Sequence, residues 1–189
     1  MIARFVAATA LAALFATAAS AQTAVPVGHF DSVELEGGGH VTFHYGAQQH
    51  VMLNNGSTQY TKFEIDGDKL VIRTCATDNC PTIYKMDVDI ATPSIHGLAI
   101  SGGGQMEVAS GFPAQNKVSV AVRGGGEIDA LNISASSADA AVQGGGQIHI
   151  HAEHALTAAV NGGGQILYAG NPSVTSAING GGQVSRDGG

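Results

Sequence analysis

Apolar and polar positions alternate with period two along most of the chain beyond Phe30, and in the C-terminal half triplets of glycine interrupt the alternation. The stretch reads LAISGGGQMEV at Leu98–Val108 and VAVRGGGEIDA at Val120–Ala130, then returns as AAVQGGGQIHI, AAVNGGGQILY and SAINGGGQVSR, ending at Arg186. The triplets are Gly102, Gly103, Gly104; Gly124, Gly125, Gly126; Gly144, Gly145, Gly146; Gly162, Gly163, Gly164; and Gly180, Gly181, Gly182, with starts spaced 22, 20, 18 and 18 residues apart. A fainter copy, VELEGGGHVTF, begins its triplet at Gly37. Two places before the triplets stand Ile100, Val122, Val142, Val160 and Ile178; two places after stand Met106, Ile128, Ile148, Ile166 and Val184. Alternation of this kind predicts half-buried strands. The triplets predict bends, because glycine alone takes positive φ cheaply. If the middle glycine holds that conformation, a valine at Gly145 costs several kcal/mol, of the order expected for strained backbone.

A period near 20 residues excludes most architectures. A βαβ unit needs roughly 30 residues, a propeller blade about 40, and the leucine frame of leucine-rich repeats is absent. The pattern therefore predicts an all-β fold: a single-stranded parallel β-helix or solenoid with Gly-Gly-Gly coils of about 20 residues. Each coil would stack on its equivalent at about 4.8 Å, so five coils span roughly 20 Å. The polar residues before the triplets (Ser101, Arg123, Gln143, Asn161, Asn179) and after them (Gln105, Glu127, Gln147, Gln165, Gln183) would form columns, some of them amide ladders. The links ASGFPAQNK, LNISASS, HAEHA and AGNPS read as coil-to-coil loops.

Ahead of the triplets the strands are less regular. FDSVEL, HVTFHY, HVMLNN, TKFEI, KLVIRT and IYKMDVDI are separated by turn signals at Asn55-Gly56, Asp66-Gly67-Asp68 and Thr92-Pro93-Ser94. FEIDGDKLVI predicts a hairpin. Residues 29–97 form a less regular N-terminal β region of the same domain, covering one end of the repeats at 98–186. At the other end Arg186, Asp187 and two glycines are expected to blunt strand addition.

The first 21 residues differ in kind. Arg4 supplies a positive start, Phe5 to about Ala18 is apolar, and Ala19-Ser20-Ala21 is an A-x-A cleavage signature before Gln22. Residues 1–21 read as a signal peptide and 22–28 as a linker, so the protein is exported to the periplasm, the cell surface or beyond. No later stretch is long and apolar enough for a transmembrane helix. Removal of the leader takes Arg4 and no acid, so the net charge of −7 becomes −8. That balance argues against nucleic acid and against an electrostatic grip on anionic lipid. Tryptophan is absent, and after Leu98 only Phe112 and Tyr168 are aromatic, so a sugar-stacking platform on the repeats is hard to build.

The chain resembles the head GIN domain of putative auto-transporter adhesins. The resemblance rests on FEIDGDKLVIR, the proline-marked MDVDIATPSIHGLAISGGG and the glycine-marked strands, and covers roughly Phe30 to Val184. The family repeats a Gly-Ser-Gly motif, whereas here the central residue is glycine in every copy. The resemblance implies an exported, parallel β-helix-like domain and lends no catalytic residues. A translocating outer-membrane barrel has no room in this sequence, so a complete autotransporter is not expected.

Candidate chemistry is sparse. Cys75 and Cys80 are the only cysteines; export favours a disulfide, while two ligands are too few for a metal and the spacing is not C-x-x-C. A column of Glu107, Asp129 and His149, with His151 and His154 nearby, places carboxylate and imidazole at strand pitch. Nothing in the sequence supplies a second shell, so a solvated face is the simpler reading and neither metal nor cofactor is expected. No Lys-Ser/Thr follows the triplets as in a phosphate loop. The aspartate that calcium-binding nonapeptide repeats carry after their glycines is replaced by glutamine in four of five copies.

The sequence thus predicts a non-catalytic, adhesin-like envelope or surface module binding a glycan or an envelope protein. Its expected contact face is Arg123, Gln143, Asn161 and Asn179. The alternatives are a self-assembling structural protein, with coils stacked end to end, and a polysaccharide-acting β-helix enzyme. The leader gives the first test. Intact-mass measurement of the exported protein should find a chain beginning near Gln22, and a soluble cytoplasmic form retaining Met1–Ala21 would refute the export reading.

Overall fold

The computed structural model describes residues 22–187; the segment 1–21, expected to be a signal peptide, lies outside them. Fifteen strands run in chain order: β1 (Thr23–Ala24), β2 (Ser32–Gly37), β3 (His40–Tyr45), β4 (His50–Asn55), β5 (Thr61–Asp66), β6 (Lys69–Thr74), β7 (Asp87–Thr92), β8 (Gly97–Gly102), β9 (Gln105–Val108), β10 (Gln115–Gly124), β11 (Glu127–Gly144), β12 (Gln147–Gly162), β13 (Gln165–Ala169), β14 (Ser173–Asn179) and β15 (Gln183–Arg186). Among the described residues no helix is long and apolar enough to cross a membrane.

The fold is all-β, but it corrects the expectation of a regular single-stranded parallel β-helix. All fifteen strands belong to one mixed sheet curled into a half-barrel. The pairs β1/β4, β4/β7 and β5/β6 are antiparallel; the remaining pairs, such as β8/β10, β10/β11 and β11/β12, are parallel. The expected 20-residue coils with separate loops do not form either. Strands β11 and β12 run for 18 and 16 residues through LNISASS and HAEHA. The reason lies in those segments themselves: Ile133, Ala135 and Ala152 are buried and keep them in the ladder, and the chain bends by register shifts after Ala130 and Ala135 rather than by turns. Only ASGFPAQNK and AGNPS contain true breaks, between β9 and β10 and between β13 and β14.

The inward columns are those the alternation predicts. Ile100, Val122, Val142 and Val160, with Met106, Ile128, Ile148 and Ile166, are buried in one core. Phe30, Leu35, Phe43, Leu70, Ile72 and Ile90 extend it through the N-terminal strands. At the far edge the same column emerges, and Ile178 is exposed.

The glycine triplets make the corners. The first glycine of each has positive φ: 140° at Gly102, 117° at Gly124, 121° at Gly144, 125° at Gly162 and 120° at Gly180. The first four stack in register on one another and on Gly37, and a Cβ on Gly180 would lie 2.5 Å from the Gly162 carbonyl oxygen. The approach leaves no room for a side chain, since a Cβ on Gly144 would lie 2.6 Å from the Gly124 carbonyl oxygen. That closeness serves a hydrogen bond, because the Gly145 N–H donates to the Gly124 carbonyl at 3.0 Å. The third glycine is pinched too; a Cβ on Gly146 would meet Val122 Cγ1 at 2.4 Å and the Gly126 oxygen at 2.5 Å. The middle glycine is the free one. Gly145 has no positive φ and nothing within 4 Å of an added Cβ. The strained position is therefore Gly144, not Gly145.

The hairpin forms as its sequence indicates. Asp66 faces Lys69 across a two-residue loop, and Gly67 has φ 62°, the positive first loop position of a type II′ turn. Just beyond β6, Cys75 and Cys80 are bonded to each other with their Cα atoms 5.3 Å apart. Closing so short a loop contributes about 2 kcal/mol in the loop-entropy picture.

The two kinds of glycine should separate in stability measurements. Gly144→Val is expected to lose about 3 kcal/mol or more, from strain and backbone overlap. Gly145→Ala should stay within about 0.5 kcal/mol of the parent, as an unobstructed surface change does. Denaturant unfolding of both variants checks this, and equal losses would show that the corner is not set by the first glycine.

Candidate functional site: an alanine-floored trough

The outer face of β2, β8, β10, β11, β12 and β14 carries three parallel lanes. The middle lane is alanine: Ala99, Ala121, Ala141, Ala159 and Ala177 are register partners on successive strands. At the N-terminal end it abuts Glu34. With strands about 4.8 Å apart, the five alanines form an apolar strip about 19 Å long. Alternation puts them outward, because their neighbours Ile100, Val122, Val142 and Val160 point into the core.

Taller polar side chains flank the strip two residues away on either side. On one side Ser101, Arg123, Gln143, Asn161 and Asn179 stand in register. On the other stand Ser119, Asp139, Thr157 and Thr175, beginning at Gly97 and Ser32. Short residues between taller ones make a trough. A cleft of about 520 Å³ lies along the Arg123 side, and an adjoining one of about 430 Å³ along the Asp139 side.

The polar rims are mostly uncommitted. Within the Ser101–Asn179 lane the one side-chain hydrogen bond among the described residues runs from Arg123 Nε to Gln143 Oε1, at 2.9 Å. The continuous amide ladder that stacked Gln and Asn suggested is not formed, and Asn161 and Asn179 are exposed. The acids of the trough are engaged. Lys117 Nζ lies 2.7 Å from Asp139 Oδ2, and Lys69 donates to Glu34 Oε2. That hydrogen bond raises the Lys69 pKa above its ordinary value against the opposing pull of desolvation, with the charges of Glu34, Asp66 and Glu36 adding to the rise. Next to it, the hydrogen bonds that Arg73 donates to Glu36 and Glu64 raise its pKa in the same direction.

Of the residues singled out in the sequence, Arg123, Gln143, Asn161 and Asn179 do come together as one rim. The alanine floor was missed. Its signal lay two places upstream of each rim residue, in LAIS, VAVR, AAVQ, AAVN and SAIN, where small outward residues looked merely permissive. The histidine column belongs to the other face. Glu107, Asp129 and His149 are register partners there, but His149 Nε2 sits 2.8 Å from Gln147 Nε2 and His151 Nε2 sits 3.1 Å from Glu153 Oε1. His154 is exposed. Among the described residues no three His, Cys, Asp or Glu side chains are grouped to hold a metal ion.

Residues 29–118 and 110–172 match the family described as putative auto-transporter adhesin, head GIN domain. The chain belongs to this family. The same all-β architecture is found in a putative adhesin from Bacteroides fragilis, 18% identical, covering 87% of this chain and 95% of the other with a TM-score of 0.57. Putative adhesins from Parabacteroides distasonis and Parabacteroides merdae align with TM-scores of 0.43 and 0.41 at 16% and 15% identity, each covering 88% of this chain and 96% and 95% of theirs. No curated protein matches the sequence. Membership supports an adhesin-like, exported or surface protein, and in this head GIN domain the trough lies on the outer face of the glycine-marked strands.

The ion pair at the trough's end has a defined pH signature. A lysine whose pKa is raised on folding contributes stability that is complete below its unfolded value, about 10.4, and is lost as pH rises through the folded value. The stability gap between the parent and Glu34→Gln should therefore be constant from pH 6 to about 10 and shrink above it. Urea unfolding of both across that range checks the sign, and a gap that grows with alkali would contradict the pairing.

Proposed function

We propose that this protein is a non-catalytic adhesin-like module of the cell envelope or surface that binds an extended segment of a partner protein in the alanine-floored trough. The observation that carries the reading is the in-register lane of five alanines, half-buried at Ala99 and exposed at the other four, between two rims of hydrogen-bonding side chains in which only Arg123 and Asp139 are charged. An apolar floor about 19 Å long can bury small side chains of an extended chain. The rims supply donors and acceptors at regular spacing for its backbone or polar groups. Extended concave surfaces built from stacked elements are commonly used this way.

A protein partner fits better than a glycan. Sugar faces are gripped by aromatic rings, and no Phe, Tyr or Trp lines either cleft. A binding role also fits better than hydrolysis. Glu34 and Asp139, the acids of the trough, are each held by a lysine, so neither stands free as a general base.

The test uses variants that fill the floor without touching the core. Ala141→Glu and Ala159→Glu lie outward on an exposed lane and should leave the melting temperature unchanged. Each should weaken binding to cell-surface extracts at least tenfold, as should joint alanine replacement of Arg123, Gln143, Asn161 and Asn179. Protease treatment of the extract should abolish binding and periodate oxidation should spare it. The reverse sensitivity would indicate a glycan, and unchanged binding by all the folded variants would remove the trough from consideration.

A further inference from the structure

We propose that β14 is a self-pairing edge through which two copies of the chain join end to end as a closed, two-fold dimer. The mixed sheet has four edge strands among the described residues: β1 and β5 at one end, β14 and β15 at the other. Three are protected in the ways sheet edges usually are. β1 has two residues and is followed closely by Pro26. β5 carries Lys62, Glu64 and Asp66, with Glu64 ion-paired to Arg73. β15 ends in Arg186, which donates to Asn171 Oδ1 at 2.8 Å, and is followed by Asp187.

β14 has none of these devices within its seven residues, Pro172 standing just before it. Ser173-Val174-Thr175-Ser176-Ala177-Ile178-Asn179 contains no charge, no proline and no glycine. One of its sides pairs in register with β12; its other side presents unpaired backbone donors and acceptors. Its inward side chains are unfinished core. In the neighbouring β12, Leu156 and Val160 are 1% and 2% exposed, whereas their register partners Val174 and Ile178 are 37% and 47% exposed. The apolar columns therefore continue to the edge and stop uncovered.

The order of side chains indicates what covers them. In an antiparallel self-pairing centred on Ser176, Val174 of one copy lies opposite Ile178 of the other on the core side, twice by symmetry. Thr175 lies opposite Ala177 on the outer side, and Ser173 opposite Asn179. The two Val174–Ile178 pairs bring apolar side chains together on the core side, with Ser176 facing its own copy between them; apolar cross-strand pairs of this kind stabilise a sheet, and the two-fold arrangement closes on itself. Head-to-tail addition would instead bring the neutral β14 onto the charged β5 or the two-residue β1, so a growing polymer is disfavoured. Arg186 and Asp187 stand at β15 and leave β14 without a charge.

The dimer does not depend on the trough binding a ligand, and its test is separate. Sedimentation of the exported full chain over a hundredfold concentration range should show a monomer–dimer equilibrium without larger species. Ile178→Lys should weaken the dimer at least tenfold, with an unchanged circular dichroism spectrum and melting temperature in the monomer. Ser176→Cys sets two thiols opposite each other at a strand pairing distance that suits a disulfide, and should cross-link on oxidation, whereas Ser119→Cys on the distant β10 should not. A parent that stays monomeric throughout overturns the proposal, as do open-ended polymers. A dimer that survives Ile178→Lys and does not cross-link through Ser176→Cys overturns it as well.

Discussion

Everything in this molecule depends on how closely one backbone passes another at the glycine corners. The first glycines of successive triplets sit so near each other that a single added carbon would overlap the preceding carbonyl oxygen at 2.4 to 2.6 Å. In exchange, the middle glycine of each inner triplet donates a hydrogen bond to that carbonyl, at 3.0 or 3.1 Å. The bend is thus made of backbone alone. It turns each strand from one side of the core to the other at the same height every time, and so fixes the register of all the positions around it.

Register is what gives the face its character. With the corners aligned, like residues fall beside like, and a short outward residue repeated on each strand becomes a continuous lane. Alanine keeps the floor low, while Arg, Gln, Asn, Ser and Thr raise the rims. A one-residue slip in any pair would move the apolar set outward, which the valines and isoleucines packed beneath oppose with roughly 1.5 to 3 kcal/mol apiece. The opposite outer face is built from the same geometry with different residues. Glu107, Asp129 and His149 share a column there, with no alanine lane beside them.

Much of this was written in the chain, and the parts that were not have physical causes. The inward columns, the Gly67 hairpin and the Cys75–Cys80 bond follow from local rules of alternation, turn chemistry and compartment. The strand-to-strand arrangement did not. Periodicity states that strands stack but not which neighbours run antiparallel, and the N-terminal pairs β4/β7 and β5/β6 turn what looked like a uniform helix of strands into a mixed, curled sheet. LNISASS and HAEHA looked like loops because they are polar and irregular, yet buried Ile133, Ala135 and Ala152 keep them in the ladder with shifted register. Positive φ could belong to any of three consecutive glycines; only the spacing between layers decides for the first. The trough escaped notice because alanine carries no chemistry by itself, and its meaning appears only when five strands lie side by side.

The direction of the hydrogen bonds has a mechanical consequence. The strands lie across the long direction of the sheet, with β1 at one extreme and β14 and β15 at the other, so the ladders between them run along it. Traction between the two ends would load these ladders in series and open them one row at a time, like a zipper, instead of sharing the force across many bonds in shear. Each row released frees about 20 residues, or roughly 70 Å of chain, while the rest of the sheet keeps its corners. A surface protein built this way would yield under a sudden pull by paying out length in steps, and so limit the peak force that reaches whatever it holds.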